Sequence, residues 1–130
     1  MTKFPTSALS RFEPQVYALL RIVTGFLFLW HGTNKVFGFP VAGSAAPWPI
    51  TWVAGPIELI GGLLVMLGFF TRPAAFLSAG LMAVAYWWKH GLNDLLPIMN
   101  RGELAVLYCF LFLFIFVRGA GIFSLDQRRC

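Results

Sequence analysis

The chain has 130 residues, of which 58% are hydrophobic and only 12% charged, with 14 Phe, 5 Trp and a formal net charge of +5. Soluble domains carry about 25% charged residues, so a water-soluble enzyme of this length would leave much of its apolar surface facing solvent. A disordered chain and a nucleic-acid binder fit no better, because the basic residues stand at the ends of apolar segments and form no run or stripe.

A single membrane span needs roughly 20 apolar residues, so four spans with short connections use nearly the whole chain as one domain. After a polar stretch (residues 1–15), the first span is expected at about 16–39, interrupted by Arg21, His31 and Lys35. It is too long, and starts too far from Met1, for a removable signal peptide. A Pro- and Gly-containing loop, 40–49, should cover one mouth of the fold, with Trp48 and Trp52 anchoring it at the interface.

The second span, about 51–70, holds one charge, Glu58, and ends in a tight connection through Arg72 and Pro73. In the third, about 73–90, Ala75, Ala79 and Ala83 recur every fourth residue, a spacing that suits close backbone approach in lipid. Its end, Tyr86-Trp87-Trp88-Lys89-His90, has the aromatic and basic character of a membrane interface. The fourth span, about 102–118, is closed by Gly119-Ala120-Gly121. The predicted fold is therefore all-α: an integral membrane antiparallel four-helix bundle.

Four spans put both termini on one side. That side collects Lys3, Arg11, Arg72, Arg118, Arg128 and Arg129, against Lys35, Lys89 and Arg101 on the other. The positive-inside bias places both termini in the cytoplasm.

Ionisable groups inside spans are costly and mark functional sites by default. At about 1.5 Å per residue, His31 and Glu58 lie at similar depth, roughly 10 Å below the outer end. Lys35 is one turn from His31 on the same face, and Asn100 and Glu103 open the fourth span at that side. His31, Lys35, Glu58, Asn100 and Glu103 are thus candidate walls of one polar pocket, with Trp30, Trp52, Trp87 and Trp88 as a candidate aromatic lining.

Each has a plainer reading. Glu58 can be a counter-charge to Lys35 or His31, Lys89 can snorkel to headgroups, His90 can be an interface residue, and Glu103 suits a helix N-terminus. Arg21, near the inner end, calls for a structural partner: Asp126, Glu13 or a lipid phosphate. Cys109 and Cys130 form no CxxC or metal spacing, so no metal is expected and no cofactor motif is evident.

The segments together resemble the DoxX family of small four-span membrane proteins. The resemblance runs through Leu20-Arg21-Ile22-Val23-Thr24-Gly25, His31-Gly32-Thr33-Asn34-Lys35 and Gly55-Pro56-Ile57-Glu58-Leu59-Ile60-Gly61-Gly62. It continues in Leu67-Gly68-Phe69-Phe70-Thr71-Arg72-Pro73-Ala74, Asn100-Arg101-Gly102-Glu103 and the tail from Gly119 to Asp126. The family's tail often has Pro between the two glycines, where this chain has Ala120.

The resemblance implies a bundle in a bacterial inner membrane, associated with thiosulfate:quinone oxidoreductase or redox-stress systems. Two functions follow as expectations. One is a quinone-binding redox subunit, with His31, Lys35 and Glu58 meeting the ring and a partner protein or outside reductant supplying electrons. The other is a non-catalytic anchor or scaffold for a redox complex, in contact with lipid, a partner or further copies of itself. A haem held by His31 and His90, and a transporter, rank below both.

Overall fold

The computed structural model describes residues 6–39, 48–91, 96–100 and 102–128, the side chains of Thr6, Ser7, Lys89, His90 and Asn100 lying outside the description. Residues 40–47 of the loop expected to cover the mouth (40–49), Arg101 and Cys130 also lie outside it. The described residues are mostly helical, with no strand among them.

A short α1 (Thr6–Ser10) leads into α2 (Glu13–Phe37), which starts on Pro14 and stops where Gly38 turns left-handed at φ 65°. A π-helical turn, Ile50–Ala54, then runs without a break into α3 (Gly55–Leu67). Gly68, at φ 69°, ends α3 and donates its N–H to the carbonyls of Leu64 and Val65. Helix α4 (Thr71–Ala85) continues into a second π-helical stretch, Tyr86–Gly91. After α5 (Pro97–Asn100) come α6 (Glu103–Arg118) and the terminal α7 (Leu125–Arg128).

Helix α2 and the continuous helix Ile50–Leu67 are long and apolar enough to cross a membrane. Helix α6 is shorter: its 16 residues rise about 24 Å.

Helix α2 packs on α3, α3 on α4, and α4 on α6. Between α2 and α6 large rings do the packing: Phe28 meets Phe112 at 4.6 Å and Tyr108 at 5.1 Å between ring centres. Phe28, Phe112, Ile115, Val65 and Ala75 form the fully enclosed middle of the core.

The alanine stripe packs only in part. Ala75 and Ala79 are buried but Ala83 is exposed, because a four-residue step drifts about 40° around a helix and carries the third alanine off the packed face. The close contact is instead between α2 and α3. A Cβ on Gly25 would stand 2.6 Å from the Gly62 carbonyl oxygen, and one on Gly62 2.8 Å from that of Gly25.

Candidate ligand cavity and the tail clasp

The close approach of α2 and α3 brings Lys35 against Glu58. The Lys35 ammonium donates to Glu58 Oε2 at 2.6 Å, with the Glu58 side chain 4% exposed and that of Lys35 26%. Two charges removed from water need each other, since either alone would carry a desolvation cost of several kcal/mol.

This pair lies in the wall of a cavity of about 330 Å³. Helix α2 contributes Phe28, His31 and Lys35, α3 contributes Glu58, α4 contributes Leu81, Met82, Val84 and Ala85, and α6 contributes Leu104, Ala105 and Tyr108. The two π-helical stretches border the same space, through Ile50, Val53 and Ala54 on one side and Trp88 on the other. Such turns recur at functional sites; here both sit at the same end of the α3–α4 hairpin.

The polar inventory of the cavity is short. Lys35 and Glu58 cancel in charge. The Tyr108 ring is buried and held by Phe28, by Phe112 and by the His31 ring, whose centre lies 5.9 Å away edge-on. Neither the His31 imidazole nor the Tyr108 hydroxyl has a hydrogen-bond partner among the described residues. The rest of the wall is aliphatic or aromatic.

Of the five pocket candidates, His31, Lys35 and Glu58 line one cavity. Glu103 does not line it; it is exposed in the first turn of α6. The Asn100 side chain lies outside the described residues. Of the four tryptophans, only Trp88 reaches the cavity; Trp30, Trp52 and Trp87 are exposed on outer faces. The sequence reading missed Tyr108 and Phe28. The signal for Tyr108 was present in Ala105, Tyr108, Phe112 and Ile115, the buried face of α6 at three- and four-residue spacing.

A second polar cluster closes the other end. Arg21 is fully buried, and its guanidinium donates to four backbone carbonyls: Val65 at 3.1 Å, Ile122 at 3.0 Å, Phe123 at 2.7 Å, and Ala120. Tyr17 donates its hydroxyl to the Gly119 carbonyl at 2.5 Å. Asp126 reaches back to the start of α4, accepting from the backbone N–H groups of Phe70 and Thr71 at 2.9 Å each and from the Thr71 hydroxyl at 2.7 Å.

Glu13, one expected partner of Arg21, pairs with Arg118 at 2.7 Å instead. Carbonyls take its place because the tail crosses a helix end as irregular chain, and buried carbonyls need donors. Cys109 is a half-buried free thiol. Among the described residues no group of three His, Cys, Asp or Glu side chains is placed to hold a metal.

The described residues thus form a helical fold with an apolar cavity, an enclosed ion pair and a clasped tail, and two of the helices are long and apolar enough to cross a membrane. The DoxX family model matches residues 16–91, and the chain is a member of the DoxX family.

It is 43% identical over 127 residues to a Haemophilus influenzae protein described as uncharacterized, covering 92% of this chain and 95% of that one. It is 29% identical to the Escherichia coli inner membrane protein YphA, covering 89% and 91%. A third relative, the putative oxidoreductase CatD of Bacillus subtilis, is 38% identical over 66 residues, 47% of this chain and 49% of that protein. No solved structure gives a significant match.

Proposed function

We propose that the chain is a multi-pass protein of the bacterial inner membrane that binds the ring of a membrane quinone in this cavity, as the quinone-binding subunit of a redox system. In this reading the four long helical segments span the membrane as an antiparallel bundle, with both termini in the cytoplasm. The observation that carries it is the Lys35–Glu58 pair set into an otherwise apolar, aromatic-walled cavity. Ionisable groups buried at membrane depth are rare and are kept where they serve a site.

The residues present fit a quinone ring. Ligand cavities range from about 300 to 1,000 Å³, so this one, at about 330 Å³, takes a single substituted ring and leaves an isoprenoid tail outside. Lys35 keeps two N–H donors beyond the one given to Glu58, and Tyr108 and His31 offer further unpartnered groups for ring oxygens. A bound quinone supplies two-electron, two-proton chemistry; the chain's residues bind the ring, orient it and keep water away.

The ligand is neutral in this reading. Lys35 is already compensated by Glu58, so an anionic sulfur compound such as thiosulfate finds no net positive wall among the described residues. The names of two relatives, an inner membrane protein and a putative oxidoreductase, support the location and the redox association. Electrons come from a partner or an external reductant. Arg21 and Asp126 hold the clasp and take no part in binding.

The test is purification of the full chain in mild detergent, solvent extraction and titration with a short-tailed quinone. Near-stoichiometric quinone, or saturable quenching of tryptophan fluorescence through Trp88, is expected. Absence of both would instead favour the non-catalytic anchor.

A further inference from the structure

The hydrogen-bond inventory of the cavity says more about its ligand than that it is a neutral ring. Glu58 is almost wholly enclosed, and only one of its oxygens, Oε2, is engaged; Oε1 accepts nothing from any described residue. The cavity therefore offers a strong, charged acceptor beside the donors of Lys35 and Tyr108.

An oxidised quinone has ring carbonyls that only accept. It can use Lys35 and Tyr108, but it sets a lone pair against Glu58 Oε1. The reduced ring has hydroxyls, which donate to a carboxylate while still accepting from an ammonium or a phenol. Hydrogen bonds to an ionised acceptor are roughly twice as strong as neutral ones, and a ring carbonyl set against that acceptor forgoes such a bond.

Resting on the quinone reading above, we propose that the site is built for the reduced form: it binds the quinol in preference to the quinone, with Glu58 Oε1 accepting the hydrogen bond of a ring hydroxyl. Lys35 is then a positioning residue. Its ammonium favours the ionised carboxylate and engages Oε2, leaving Oε1 for the ligand.

One charged hydrogen bond gained corresponds to a preference of about tenfold or more. By linkage, a tenfold preference raises the potential of the bound two-electron couple by about 30 mV.

The experiment titrates decylubiquinone and anaerobically reduced decylubiquinol into the full chain in detergent, reading tryptophan fluorescence against empty micelles. The expected result is quinol binding at least about tenfold tighter than quinone, with the preference lost in Glu58→Gln. Because that variant can lose its fold, the wild-type chain is also titrated with the quinol whose ring hydroxyls are methylated. The ether should bind no better than the quinone.

Equal affinity for the two redox forms, tighter binding of the quinone, or an ether as tight as the quinol each overturns the quinol preference while leaving the cavity a quinone site. Failure of both redox forms to bind overturns the quinone reading itself, and this inference with it.

Discussion

Gly25 and Gly62 meet back to back across α2 and α3, each standing where the other's side chain would be. An added Cβ would fall 2.6 Å from the Gly62 oxygen in one direction and 2.8 Å from the Gly25 oxygen in the other, closer than real Cβ atoms come. Two turns further along α2, a Cβ on Gly32 would collide with the Leu59 backbone. This seam sets the distance at which Lys35 finds Glu58.

Gly32→Ala should therefore separate the two helices, lowering the thermal midpoint in detergent and loosening the ion pair. Overpacking of this kind typically costs about 1–3 kcal/mol. Gly80→Ala is the control. It lies in α4 with nothing within 4 Å of its added Cβ, and it should be neutral or stabilise by up to about 1 kcal/mol through helix propensity. Equal effects of the two substitutions would mean that the seam is not under steric constraint.

Arg21→Met should release the tail. Four carbonyls would lose one shared donor, and removing a charged buried donor costs about 3 kcal/mol or more. Asp126→Ala, which uncaps α4 at Phe70 and Thr71, should cost less, about 1–2 kcal/mol. Hydrogen exchange at 119–124 reads both, with faster exchange expected in Arg21→Met while α2 and α3 stay protected.

Much of this architecture was legible in the sequence, and the reason is hydrophobic patterning. The long apolar segments and the break at Gly119 follow from hydrophobic length and turn residues, whereas α2 and α3 end at Phe37 and Leu67, two to three residues before the ends expected at 39 and 70, because Gly38 and Gly68 turn left-handed. Partner choice was not legible. Arg21 turned to carbonyls because the tail's path over the end of α3 is a tertiary fact, invisible in spacing. Glu103 missed the cavity because it precedes the buried Ala105–Tyr108 face of α6 and leaves its own side chain outside. Tyr108 went unnoticed because, among so many aromatic neighbours, nothing local marked it as the one lining the cavity.

The Lys35–Glu58 pair makes a prediction of its own. Glu58→Gln strands the Lys35 cation and should lower stability by about 3 kcal/mol, the low end for breaking a buried pair, because the partly exposed Lys35 head has some access to an outer environment. Lys35→Met on that background should restore much of the loss while leaving quinone affinity reduced. Recovery of binding together with stability would assign the pair a purely structural role.

The charge bias across the spans predicts the sidedness of the chain. A green fluorescent protein fused after Cys130 should fluoresce, and alkaline phosphatase fused there should be inactive, as expected for a cytoplasmic terminus. The reverse pattern would invert the bundle and put the cavity at the inner leaflet.

The most direct measurement for the central claim is photolabelling of the full chain in native membranes with an azido-substituted short-tailed quinone, followed by peptide mapping. Label is expected on segments 49–58, 81–88 and 104–108, which line the cavity, and excess unlabelled quinone should displace it. Label confined to outer faces such as Leu19, Phe76 or Val117, or label that excess quinone does not displace, would contradict it.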